Sequence, residues 1–110
     1  MKVNKEIING IHYFEIEGEL GLYTVTEFKE IINSCIDTGV SKIILDFRNS
    51  NHIDSSGFAL IFNINNRLNQ NSSKLKVIVD KKKTLLFQHF TVEKKIDIFQ
   101  DKEPALQSFQ

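Results

Sequence analysis

The residues best suited to chemistry lie in one short run, His52-Ile53-Asp54-Ser55-Ser56-Gly57. Ahead of it stands Ile43-Ile44-Leu45, too short for a helix and β-branched enough for a buried strand. Behind it Leu60, Ile61, Ile64 and Leu68 recur on one helical face. Two hydroxyls and a glycine therefore stand where a strand and loop hand over to a helix. The first N–H groups of a helix lack internal partners, and its dipole makes that end electropositive. A hydroxyl there is well placed to carry or receive a phosphate. The plainer reading is structural, with Asp54 or Ser55 capping the helix and Ser56 filling its first turn.

Rival chemistries fit the same residues poorly. Ser56, His52 and Asp54 are the three residue types of a nucleophilic triad. There is no G-x-S-x-G elbow, and four residues of chain hold all three too close for the usual geometry. His12, His89 and Cys35 show no metal-ligand spacing, and no glycine-rich loop offers a nucleotide site. The chain is expected to be no enzyme, with no catalytic residue, metal or cofactor of its own.

Composition narrows the class further. The 110 residues are expected to form a single domain, 1–110, able to bury about two-thirds of its unfolded surface. Lys+Arg and Asp+Glu are each 14, so there is no basic surplus for a nucleic-acid backbone. Lys81-Lys82-Lys83 reads as a solvated loop or helix start. Cys35 is the single cysteine and lies on an apolar helical face, which predicts a packed core thiol in a reducing compartment. No apolar run approaches about 20 residues and no signal-peptide pattern opens the chain. The expected location is cytoplasmic, with no membrane partner.

The elements that must position the run can be read in order. Residues 3–8 and 11–17 are extended, joined by Asn9-Gly10, the strongest short signal for a type I′ hairpin turn. In the second stretch the Phe14 and Ile16 side is the expected core face, with Tyr13 and the glutamates opposite. Thr24-Val25-Thr26-Glu27 has the form of a capping box, followed by Phe28, Ile31, Ile32 and Cys35 on one face. Gly39 is the expected C-terminal cap. Next come a strand at 43–47, a helix from about 55 to 69, and a strand at 75–79. A short helix over 83–90 carries Leu85, Leu86 and Phe90. A strand at 96–99 precedes a final helix capped by Asp101, with Pro104 in its first turn and Ala105, Leu106 and Phe109 facing inward. The order ββαβαβαβα predicts an α/β fold with a mixed, largely parallel sheet, an N-terminal β-hairpin and about four helices.

At these residues the sequence resembles the STAS domains of bacterial anti-sigma-factor antagonists. Asp54-Ser55-Ser56-Gly57 at a helix start is similar to the family's signature. Gly18-Glu19-Leu20 resembles its motif after the early strand, and Leu45-Asp46-Phe47 its central strand. Ile98-Phe99 with Glu103-Pro104-Ala105-Leu106 resembles its closing strand and helix. The resemblance implies that Ser56 accepts phosphate from a partner kinase, with Asp54, Ser55 and Gly57 flanking the switch. It implies two partners, an anti-sigma-type serine protein kinase and a PP2C-type phosphatase. The kinase would bring the ATP and Mg²⁺. The alternative is a constitutive interaction or scaffold module whose serine is never modified. Two positions depart from the family pattern. Gly21 stands where an aspartate is common, and His52 where a bulky apolar residue is usual.

Gly21, His52, Phe58 and Phe62 are the candidate partner-binding residues. Phe58 and Phe62 share a flank away from the centre of the core stripe, either as overflow of the core or as a docking patch. Arg67 lies on the Ser56 flank but eleven residues on, about 16 Å along the helix, too far to clamp a phosphate.

Overall fold

The hairpin is the frame on which the rest is laid. The computed structural model describes residues 1–91 and 96–109, and of Phe90 and Thr91 the backbone only. Strand β1, Lys2–Ile8, runs antiparallel to β2, Ile11–Leu20, in continuous register from Lys2↔Glu17 to Ile8↔Ile11. Asn9 and Gly10 both take positive φ, 50° and 79°, as a type I′ turn requires. Helix α1, Val25–Asp37, carries the chain to β3, Ile43–Asp46, which pairs parallel with β2. A short strand β4, Ser50–Ile53, leads into helix α2, Ser55–Gln70. Strand β5, Leu75–Ile78, helix α3, Lys81–Thr91, strand β6, Asp97–Phe99, and helix α4, Lys102–Gln107, complete the order. The sheet runs β1-β2-β3-β5-β6, with β4 paired to the end of β2. Among the described residues only the hairpin pairs antiparallel.

The expected α/β architecture is present, and the order gains one strand, β4. The polar residues Ser50, Asn51 and His52 carry no strand signal of their own. They are extended because the far end of β2 offers a free ladder edge, closed by parallel pairs Gly18↔Ser50 and Leu20↔Ile53.

Both faces of the sheet are covered. One is packed by α1, α2 and Phe87 of α3 around Phe14, Ile16, Phe28, Leu45, Phe47 and Val77. On the other face α4 sets Ala105 against Ile11, Tyr13, Ile44 and Ile78. Tyr13 is therefore buried, contrary to the expectation that it faces away from the core. Alternation identified two different faces, but the cover for the second is supplied from the far end of the chain. The Tyr13 hydroxyl donates to the Asp46 carboxylate, which also takes Arg48 Nη2 at 2.8 Å and Arg48 N at 3.0 Å. Every buried polar atom of the side chains described thus has a partner.

Two further expectations are corrected. Thr24 starts α1 but makes no side-chain cap bond to it. Its Oγ1 instead accepts from Gly21 N at 3.0 Å and donates to the Glu19 carbonyl at 2.9 Å. Among the described side chains of α3 the inward one is Phe87, fully buried, whereas Leu85 and Leu86 are exposed. The Phe90 side chain lies outside the described residues. Gly39, with φ +96°, closes α1 as expected through its N–H to the Ile36 carbonyl. Among the described residues no helix is long and apolar enough to cross a membrane.

Candidate functional site at the start of helix α2

The pairing of β4 with β2 brings two distant loops together. Ser50 Oγ donates to the Gly18 carbonyl at 2.7 Å, and Asp54 N to the Leu20 carbonyl at 3.2 Å. The turn after β2, Gly21-Leu22-Tyr23-Thr24, therefore lies against the first residues of α2. Asp54 is the N-cap, with an extended backbone at φ −96° and ψ −175°. Its Oδ1 accepts from Gly57 N at 3.1 Å and from Ser56 Oγ at 2.6 Å. Its Oδ2 accepts from Leu22 N at 3.1 Å. The Ser56 hydroxyl, then the Gly57 and Leu22 amides, hold the Asp54 carboxyl below its usual range.

Close approach requires one glycine of the site, Gly57, and Gly21 leaves room for a side chain, that of Asp54. A Cβ on Gly57 would sit 2.7 Å from the Leu20 carbonyl oxygen and 2.9 Å from Ile53 Cγ2. Helix α2 can begin here only because its first turn lies flat on the end of β2. Alanine in a helix ordinarily gains up to about 1 kcal/mol over glycine. At Gly57 the contact is with backbone, so Gly57→Ala should lower the melting temperature instead, as calorimetry would show. A Cβ on Gly21 would lie 2.5 Å from Asp54 Oδ2. In this chain the space beside Gly21 is taken by the carboxylate of Asp54.

Ser55 is exposed, and Ser56 is half-buried. Ser56 opens on a cleft of about 280 Å³ between α1 and α2, lined also by Thr26, Lys29, Leu60 and Asn63. His52 is exposed on β4, on the strand that precedes the site. The triad reading has no geometric support, since the Ser56 hydroxyl is a donor to Asp54. Among the described residues no group of three or more His, Cys, Asp or Glu is placed to hold a metal. Cys35 is buried, and burial pushes its thiol up, away from a thiolate.

Phe58 leaves the candidate binding face. It is buried, with its ring 4.9 Å edge-on from Phe87, because α3 covers that flank of α2. Phe62 is partly buried, its ring 6.4 Å from that of Phe58. Arg67 is engaged elsewhere, with Nη1 on Asn33 at 2.7 Å and Nη2 on Asp37 at 2.8 Å.

Three residues of this face were not singled out from sequence. Leu22 and Tyr23 stand 67% and 94% exposed in the turn held by Asp54. Lys29 lines the Ser56 cleft and has no ion-pair partner among the described residues. The available signal was a pair of large apolar residues in a glycine-led turn, outside any strand or helix period.

Comparison with known proteins agrees with the geometry. The family model described as the STAS domain matches residues 2–105. The chain is 30% identical over 80 residues to the anti-sigma-B factor antagonist of Staphylococcus aureus, covering 71% of this chain and 74% of that one. Among solved structures, an anti-sigma factor antagonist from Mycobacterium paratuberculosis superposes with a TM-score of 0.85 at 16% identity, covering 97% of this chain and 92% of that one. The Bacillus cell fate determinant SpoIIAA in its phosphorylated form gives 0.72 at 19% identity, covering 99% and 100%. These likenesses, and the match along nearly the whole length, show that the chain belongs to the STAS domain family.

Proposed function

We propose that the chain is a phosphorylation-switched binding protein of the anti-sigma-factor-antagonist type, acting in the cytoplasm. With Ser56 unmodified it binds an anti-sigma-type serine kinase, and with Ser56 phosphorylated it releases that kinase. A PP2C-type phosphatase resets it. The observation that carries this reading is the Ser56 hydroxyl, held in the first turn of α2 and open to a cleft that contains Lys29. The names of its relatives support the same class, as does the existence of a phosphorylated form of one structural neighbour.

The chemistry is consistent with a switch that works at the surface. Phosphorylation adds about −1.5 to −2 charges beside Asp54, which is already ionised. A partner surface that fits a neutral serine then meets a dianion. Leu22 and Tyr23 supply exposed apolar area next to it, worth about 1.5–3 kcal/mol for each large side chain fully buried on docking. Ser56→Ala is expected to bind the kinase persistently, and Ser56→Asp to bind it poorly.

Peptide mapping by mass spectrometry on protein from its native cells tests the site. A phosphate-sized increment on Ser56, removed by phosphatase, is the expected result. An unmodified mass under every growth and stress condition would leave a constitutive binding module instead.

A further inference from the structure

We propose that Asp54 is a relay that transmits the state of Ser56 to the Leu22–Tyr23 turn, so that phosphorylation frees the turn as well as altering the charge. The inference rests on Ser56 being the modified residue. One carboxylate joins the two elements, with Oδ1 on Ser56 Oγ at 2.6 Å and Oδ2 on Leu22 N at 3.1 Å. Gly21 leaves room for the carboxylate in this position, since a Cβ there would lie 2.5 Å from Oδ2. On the other side the turn is held at Gly21 N and the Gly21 carbonyl by Thr24 and the start of α1. Between these anchors Leu22 and Tyr23 are 67% and 94% exposed. Among the described residues, the side-chain bond that reaches this segment from outside the turn and its α1 flank is the one Asp54 accepts from Leu22 N.

Phosphoryl transfer forms an Oγ–P bond, breaks the anhydride bond of the kinase's ATP, and passes the hydroxyl proton to the kinase. Two consequences follow at Asp54. Ser56 Oγ becomes an ester oxygen and no longer donates. The phosphate oxygens then repel the carboxylate, and compete with it for the Gly57 amide at the electropositive end of α2. Each effect drives Asp54 away from its position, and Leu22 N–H loses its acceptor. Asp54 is thus a positioning residue for the apolar turn, beyond its part as a helix cap.

The test is amide hydrogen exchange by NMR on the isolated protein, unmodified and with phosphoserine incorporated at position 56. Exchange at Leu22 should rise by at least about tenfold on phosphorylation, while core amides such as Ile44 and Val77 stay unchanged. In Asp54→Asn, which keeps an acceptor oxygen but not the charge, the phosphate should change Leu22 exchange little. Gly21→Ala should loosen Leu22 with no phosphate present. Equal Leu22 protection with and without phosphate would overturn the relay, as would the same loosening in Asp54→Asn. Because no partner is present, a still turn with partner release would sink the relay alone. A freed turn with unchanged partner affinity would sink the switch alone.

Discussion

Phe87→Ala is expected to cost about 3–5 kcal/mol, the largest loss among single substitutions considered for this chain. The Phe87 side chain is fully buried, 4.9 Å from the ring of Phe58 and 5.9 Å from that of Phe47. Among the described side chains of α3 it is the one buried against the sheet and α2, while Leu85 and Leu86 face outward. Removing the ring opens a cavity between two aromatic neighbours that are themselves fixed by the core. A domain of this size has about 5–15 kcal/mol of net stability, so the variant should be close to unfolding. In urea the midpoint should fall by roughly 2 M, given a slope of about 1–3 kcal/mol/M. Leu85→Ala, on the exposed side of the same helix, should change stability by no more than about 0.5 kcal/mol. Similar losses for both variants would show that α3 is not held through Phe87.

Asp46→Asn should give the second large effect, and one that depends on pH. Asp46 is buried and accepts from the Tyr13 hydroxyl and from Arg48 through both Nη2 and Nε. Burial alone would push the Asp46 carboxyl up. The hydrogen bonds from Arg48 and Tyr13 outweigh it, and the net displacement is downward. The same contacts hold the Tyr13 hydroxyl in its neutral form, its pKa raised by burial and by Asp46. Breaking a fully buried pair costs about 3–5 kcal/mol, but the Arg48 side chain is 37% exposed and can turn to water. The expected loss at neutral pH is therefore about 1–3 kcal/mol. A carboxyl whose folded pKa lies below its unfolded value stabilises the fold above that unfolded value, about 3.9. The contribution is lost as pH falls from there through the folded value. The stability gap between wild type and Asp46→Asn should accordingly be constant near neutrality and shrink below about pH 4. A gap that stays constant into acid would show that shape, and not charge, makes Asp46 stabilising.

The elements readable from sequence were those whose signals are local. Asn9-Gly10 specified its turn by φ, Gly39 its helix end, and the spacing of Leu60, Ile61, Ile64 and Leu68 the inner face of α2. What stayed hidden depends on cover arriving from far along the chain. Tyr13 is buried only because α4 returns to the opposite face of the sheet. Phe58 is buried only because α3 lies across its flank of α2. Strand β4 exists because β2 is longer than β3 and leaves its last residues unpaired by it. The same pairing sets Leu22 and Tyr23 beside Ser56, some thirty residues apart in sequence, so no local pattern placed them in the site. The run Asp54 to Gly57 was legible, because the cap, the hydroxyl and the small residue are all demanded within one helical turn.

The proposed switch is tested most directly by isothermal titration of an anti-sigma-type serine kinase from the same cells with two forms of this protein, unmodified and phosphorylated at Ser56. The unmodified form should bind and the phosphorylated form should bind at least about a hundredfold more weakly, a difference of about 2.7 kcal/mol. Equal affinity for the two forms would contradict the switch and leave Ser56 as a residue of the helix cap.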